Sequence, residues 1–152
     1  MTIYLQILHG LCAVALLGAI THQAASVWAP ARKPGAAFLT RFRAVKAASY
    51  VNAIVVLFVV TFTLGAIVYP AYRIGARIYM EDLRMSGPVG AFEVKEHLMT
   101  FALALLPAYW FYWRLPHAPE QETNRKALVL LLALFIWAAF LIGHVLNNIK
   151  GL

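Results

Sequence analysis

Four long apolar blocks constrain the fold of this chain more than any other feature of its sequence. They cover residues 3–28, 47–69, 92–113 and 127–149. A helix needs about 20 mostly apolar residues to cross the hydrocarbon core of a bilayer, and each block has that length. The blocks leave little room for anything else in a chain of 152 residues. The pattern therefore predicts an all-α integral membrane protein, a single domain in which four transmembrane helices form an up-and-down bundle.

The distribution of Lys and Arg indicates which way the bundle faces. The first and third loops share one side of the membrane, here called side B, and the second loop shares side A with both termini. Eight basic residues fall on side B and five on side A. Because basic residues concentrate in cytoplasmic loops, we expect both termini to be periplasmic in a bacterial inner membrane. No basic residue precedes Arg32, which favours a retained first span over a cleaved signal peptide.

The basic residues do not indicate a nucleic-acid partner. The formal net charge is +7, but the Lys and Arg residues flank the apolar blocks, where they act as topology signals. We therefore expect the chain to contact the lipid bilayer and no nucleic acid. The single cysteine, Cys12, excludes an internal disulfide, a CxxCH attachment site for haem and a four-cysteine metal site.

The third block opens with ionisable side chains, since Glu93, Lys95, Glu96 and His97 lie within residues 92–97. Such groups are costly to bury in hydrocarbon, so their presence where a helix enters the membrane indicates a functional site. The alternative for the two acids and the lysine is a solvated helix entrance, in which the helix dipole favours the acids.

Three histidines are predicted to lie at one depth in the membrane. His9 and His97 lie about five or six residues inside their helices from side A, and His144 lies about five residues before the side A end of its helix, so each is roughly 8–9 Å below the boundary. Three imidazoles at one depth favour a bound group over three separate structural histidines. His22 lies on a different face from His9, and its only candidate partner on side B is His117. We therefore expect one haem and not two, with His22 as a quinone or structural contact.

The first chemistry that fits these histidines is haem b, held by two neutral imidazoles from different helices. His97 would be one ligand, and either His9 or His144 would be the other. Small residues leave space for a flat macrocycle, and cations pair with haem propionates. The candidates for these two roles are Gly10, Gly143, Arg73 and Arg77.

The second chemistry is a small metal ion. Glu93 and His97 are four residues apart, so they share one face of a helix. Together with His9 and His144 they would supply three imidazoles and a carboxylate, a ligand set suited to zinc, copper or iron.

Four short spans with histidines near helix ends resemble the small b-type cytochromes of bacterial membranes, the cytochrome b561-like group. The resemblance rests on the four-span plan and on His9, His97 and His144. It implies a membrane electron-transfer protein that binds haem b near the periplasmic face and exchanges electrons with quinol or a partner protein, as a redox subunit of an oxidoreductase complex. In this hypothesis Glu93 or Glu96 accepts the proton released when quinol is oxidised.

A second hypothesis needs no cofactor. The chain is small and has no large domain outside its apolar blocks, which suits an accessory or anchor subunit of a membrane complex. The second loop, predicted at residues 71–91, would then dock a periplasmic protein, because long loops are often functional.

Overall fold

A computed structural model describes residues 2–29, 38–43, 45–116 and 118–150. All regular structure in these residues is helical, which confirms the predicted all-α class. The elements in chain order are α1 (Thr2–Trp28), α2 (Phe38–Arg43), a 3₁₀ turn (Ala47–Tyr50), α3 (Val51–Tyr72), a π-helical turn (Arg73–Arg77), α4 (Ile78–Asp82), α5 (Ser86–Arg114) and α6 (Pro119–Lys150).

Three helical stretches are long and apolar enough to cross a membrane: Ile3–Trp28, Ala47–Asp82 and Pro119–Asn148. They contain the predicted spans 3–28 and 47–69 and all but the last residue of the span 127–149, and they indicate a membrane protein. The fourth long helix, α5, has 29 residues. It is not among these three stretches, and it contains the charged cluster of residues 92–97.

The four long helices pack around a shared apolar core. Helix α1 lies against α3 and α6, and α5 lies against α6 and α3. The largest fully buried apolar side chains come from all four helices: Leu16, Ile20, Ile54, Phe58, Tyr109, Val129 and Leu132. Many large apolar side chains also point outward, as the lipid-facing side of a membrane helix requires.

The second long helix does not end at residue 69, where the predicted span ends just before Pro70. Helix α3 passes through Pro70 to Tyr72, and the π-helical turn and α4 continue it to Asp82. A proline inside a helix removes one backbone donor and clashes with the preceding turn. The wider π-helical turn at Arg73–Arg77 begins directly after α3. Such turns are typical of helices that continue past a local irregularity.

The prediction of a long second loop is therefore wrong, since only residues 83–85 separate α4 from α5. The Met85 amide donates to the Met80 carbonyl at 2.8 Å, and the Arg84 amide donates to Glu81 at 2.9 Å. These two bonds form a Schellman cap. The cap requires a left-handed residue, and Arg84 takes that role with φ 56°. Helix α5 then begins at Ser86, earlier than the predicted start at residue 92.

The third loop is also shorter than predicted, because α6 begins at Pro119 instead of residue 127. Proline suits the first turn of a helix, where its missing donor has no partner to lose. Arg125 closes the turn from inside α6. Its guanidinium donates to the carbonyl oxygens of Tyr112, Leu115 and Pro116 at 2.9, 2.6 and 3.1 Å, so a buried cation satisfies the end of α5.

Candidate functional site at the side A end

His9 lies in the joint between α1 and α3. Its Nδ1 donates to the Thr61 carbonyl at 3.0 Å, and its ring packs on Gly65. A Cβ added to Gly65 would lie 3.2 Å from His9 Cε1, so any larger residue would require the imidazole to shift. This contact also sets the register of the two antiparallel helices.

Two contacts bring α5 and α6 close to the level of His9. Phe92 of α5 stacks on Tyr69 of α3, which lies one helical turn beyond Gly65. The Cδ atom of Lys95 lies 3.9 Å from the position of a Cβ on Gly143. His97 follows Lys95 by two residues, and His144 follows Gly143 by one. The three histidines therefore lie within about one helical turn of each other along the helix axes.

The three imidazoles nevertheless point in different directions. His97 is exposed, and at about 100° per residue it lies roughly 120–180° around α5 from the buried positions of that helix, which are Ala102, Leu106 and Tyr109. Its Nδ1 donates to the Glu93 carbonyl of the preceding turn at 2.7 Å. His144 is also exposed and stacks on Phe140, with ring centroids 6.4 Å apart.

The arrangement has consequences for both predicted chemistries. Within the residues that the structure describes, no three His, Cys, Asp or Glu side chains come together as a metal site. The three imidazoles do not converge on one point, because His9 is packed between α1 and α3 while His97 and His144 are exposed. Gly10 is exposed, and a Cβ on it would meet nothing within 4 Å, so the space beside it lies outside the helices.

The predicted proton acceptors are ion-paired. The Arg77 guanidinium bridges two carboxylates, with Nε 2.7 Å from Glu81 Oε1 and Nη2 3.1 Å from Glu93 Oε1. Lys95 Nζ lies 3.1 Å from Glu96 Oε1. Arg77, a predicted propionate partner, is therefore already engaged by protein groups.

Aromatic rings join α3 to α5 beside these ion pairs. Tyr72 and Phe92 are stacked, with centroids 3.7 Å apart and ring planes 12° apart, and Tyr69 stacks on the same phenyl ring at 6.1 Å. Lys95 Nζ lies 4.1 Å above the centroid of Phe92, in cation–π geometry. The charged cluster of residues 92–97 therefore connects α5 to α3 and to the π-helical turn in this structure.

A buried polar network lies nearer side B, and the sequence reasoning missed it. The Tyr109 hydroxyl donates to Gln23 Oε1 at 2.8 Å, and Gln23 Nε2 donates to the Ala47 carbonyl at 3.1 Å. Both side chains are fully buried. The available signal was a glutamine deep in an apolar helix, because such a group must find partners.

His22 is a structural contact in the same region. Its Nδ1 lies 2.6 Å from the Tyr50 hydroxyl, which ties α1 to the start of the second long helix. His117, its predicted alternative partner, lies outside the described residues.

Comparisons of the whole chain with protein-family models, with curated proteins and with solved structures find no match.

Proposed function

We propose that this chain is an accessory or anchor subunit of a membrane complex, and that residues 70–94 dock a partner protein on side A. These residues comprise the end of α3, the π-helical turn, α4, the turn at 83–85 and the start of α5, and are called the side A hairpin below. The observation that carries the proposal is the length of this hairpin beyond the start of α1.

The register of α1 and α3 gives that length. His9 lies opposite Thr61 and Gly65, and α1 begins at Thr2. Counting back along the antiparallel pair brings Thr2 level with about Pro70. The second long helix runs on to Asp82, so 12 of its residues follow that level, a path of roughly 18 Å along the helix at 1.5 Å per residue.

The charges on side B give the position of the bilayer. Lys46 and Arg114 border α3 and α5 there, and about 20 residues cross the hydrocarbon core. The other boundary then falls near Ile67 in α3 and Val94 in α5. In this proposal all four long helices cross a bacterial inner membrane, both termini are periplasmic, and the hairpin stands outside the hydrocarbon.

The same boundary accounts for the three histidines. His9, His97 and His144 lie close to it, where polar headgroups and water solvate an imidazole. The exposure of His97 and His144 therefore requires no cofactor. Outside the boundary, Ile74 is 75% exposed and Ile78 is 48% exposed. Apolar side chains that are exposed beyond the lipid mark a surface for a protein partner.

Affinity purification of the chain in a mild detergent tests the proposal. We expect a larger chain to co-purify at fixed stoichiometry, to be lost with Ile74→Glu and Ile78→Glu, and to remain with Val45→Glu. Val45 is a matched control because it is also an exposed apolar residue, in the loop on side B. A chain that always purifies alone, or a partner retained equally by all variants, would contradict the proposal.

A second candidate function is haem binding at a contact with another subunit. One observation favours it: the His97 Nδ1 is held by the Glu93 carbonyl, while Nε2 of this exposed ring has no hydrogen-bond partner among the described residues. A haem ligand is typically held in this way, with one nitrogen fixed by a carbonyl and the other available to iron. The second imidazole would come from the partner, and the bound haem would supply one-electron transfer with quinol.

A dithionite-reduced minus oxidised visible spectrum of the purified complex tests this candidate. A b-type α-band that is lost with His97→Ala and retained with His22→Ala would support it, since His22 contacts Tyr50 far from the side A end. A complex with no Soret band would remove haem from the account and leave the anchor function in place.

A further inference from the structure

We infer that α2 and the residues that follow it bind anionic phospholipid headgroups on side B. These residues belong to the segment 32–46, called the basic segment below, of which the structure describes residues 38–43, 45 and 46. The basic segment is at the opposite end of the bundle from the side A hairpin, so it forms a surface separate from the one that docks a partner protein.

The basic segment carries an unbalanced positive charge. It contains five bases and no acid: Arg32, Lys33, Arg41, Arg43 and Lys46. The eight bases on side B are accompanied by only two acids, whereas the five bases on side A are accompanied by four. The net positive charge of the chain is therefore concentrated on side B, and a cluster of bases beside a membrane helix attracts anionic lipids.

Two bases of α6 on the same side are occupied within the protein. Arg125 bonds carbonyl oxygens at the end of α5, and Lys126 pairs with Glu122. By contrast, Arg41 and Lys46 are exposed, and neither forms an ion pair among the described residues. These two cations are therefore accessible to an anion from outside the chain.

The fold holds α2 close to the side B boundary of the membrane. Helix α2 lies against α1, and only residues 44–46 join it to the 3₁₀ turn that begins the second long helix. Four residue steps span at most about 14 Å. Since the hydrocarbon is proposed to begin near Lys46, α2 is within reach of the phosphate layer. Trp28 at the end of α1 is 53% exposed, as is typical of a tryptophan at this depth.

Exposed apolar side chains accompany the cations. Phe38 is 76% exposed and Val45 is 38% exposed. A loop that serves only as a topology signal needs basic residues alone, whereas apolar residues among bases are typical of segments that lie in the membrane surface. The bilayer supplies phosphates for the cations and acyl chains for the apolar groups at the same depth. A free phosphate ion would leave Phe38 and Val45 in water.

Electron spin resonance of spin-labelled lipids tests the inference. The full chain is reconstituted in phosphatidylcholine vesicles with a trace of labelled phosphatidylglycerol or labelled phosphatidylcholine. The motionally restricted fraction of the label measures the affinity of each lipid for the protein. We expect phosphatidylglycerol to be preferred by about fivefold at low ionic strength, and added salt to reduce this preference. Inorganic phosphate in place of chloride at constant ionic strength should leave it unchanged.

Variants locate the lipid site. Arg41→Gln combined with Lys46→Gln should reduce the preference for phosphatidylglycerol by about threefold, because two accessible cations are lost. The exchange Arg41→Lys with Lys46→Arg keeps both charges and should keep the preference. Arg114→Gln with Lys126→Gln is the matched control, since it removes two charges from side B outside the basic segment. Both of these residues already contact other side chains of the protein, so the preference should change little.

Circular dichroism of each variant checks that the helices are retained, and the salt dependence of the native chain tests the site without any substitution. Equal restriction of the two lipids by the native chain would overturn the inference. The same loss of preference in both double glutamine variants, or displacement of the label by inorganic phosphate, would also overturn it.

A protein partner on this surface is a further outcome that the test separates. If a protein co-purifies with the native chain and is lost with Arg41→Gln and Lys46→Gln, a protein and not lipid occupies the surface, and the inference is wrong. If no partner depends on Ile74 and Ile78 while the preference for phosphatidylglycerol is observed, the docking function fails and the lipid site stands.

Discussion

The Nη2 atom of Arg77 lies 3.1 Å from Oε1 of Glu93 and joins the two arms of the side A hairpin across the turn at residues 83–85. Arg77 is the last residue of the π-helical turn, so the irregular turn and the ion pair occur at the same point. The hairpin is thus an ordered extension of two long helices, held by this pair and by the stack of Tyr72 on Phe92.

Charge reversal of this pair should open the hairpin. With Arg77→Glu, the side chain would face Glu81 and Glu93 as a third acid, and we expect faster hydrogen exchange in α4 and in the first turns of α5. The paired exchange Arg77→Glu with Glu93→Arg should restore much of the protection. Lys126→Glu is the control, because its ion pair with Glu122 lies within α6, and it should leave hairpin exchange unchanged.

Removal of the Tyr109 hydroxyl should destabilise the helix core. Tyr109→Phe leaves Gln23 Oε1 buried without a donor, and an unsatisfied buried acceptor costs about 1–3 kcal/mol. The free energy of unfolding in mixed micelles should fall by that amount. Tyr112→Phe removes a hydroxyl from a less buried position and should change it by less than about 0.5 kcal/mol. Equal effects of the two changes would show that the bond to Gln23 does not stabilise the fold.

Gly65 should not tolerate a methyl group. In Gly65→Ala the new Cβ would lie 3.2 Å from His9 Cε1, and the imidazole would have to leave its bond with Thr61. Overpacking of this kind costs about 1–3 kcal/mol, which a thermal melt in detergent would detect. Gly18→Ala is the matched change in α1, where a Cβ meets nothing within 4 Å. It should raise stability by about 0.5–1 kcal/mol, so a loss with both variants would contradict the contact at His9.

A glycine at position 84 should stabilise the protein. Arg84 has φ 56°, a conformation that costs roughly 1 kcal/mol for residues with a Cβ. Arg84→Gly relieves that strain, and we expect a higher melting temperature than for the native chain. Arg84→Ala removes the same charge but keeps the Cβ, so it should give no such gain. If both variants melt alike, the backbone at this turn is not strained.

The helical class and the end of α1 at Trp28 were predictable, because hydrophobicity and helix-ending residues act locally in the sequence. The hairpin was not predictable, since Pro70 is a strong helix-breaking signal. No feature of the neighbouring sequence shows that a π-helical turn will follow it. The start of α5 was missed for a similar reason. Ser86, Gly87 and Pro88 suggest a turn, yet a proline in the first turn of a helix is favourable.

The level of the three histidines could be estimated by counting residues, whereas their directions could not. Helix α5 is apolar on most sides, so no polar face shows which side of it meets the other helices. The prediction therefore placed His97 toward the other helices, because an imidazole is costly to bury in lipid. In the structure His97 is exposed and faces away from them. Gln23 gives the opposite lesson, because an amide deep in an apolar helix does indicate a polar partner, and only packing reveals that Tyr109 provides it.

The nitrogen and the oxygen of the Gln23 side-chain amide gain their hydrogen-bond partners at different times during synthesis. Its Nε2 bonds to the Ala47 carbonyl, which emerges soon after α1, whereas its Oε1 waits for Tyr109. A chain that stops before α5 would therefore hold a bare amide oxygen inside an otherwise apolar helix pair, at a cost of a few kcal/mol. The arrival of α5 removes that cost, so Gln23 makes the first two long helices chemically incomplete until the third long helix is present.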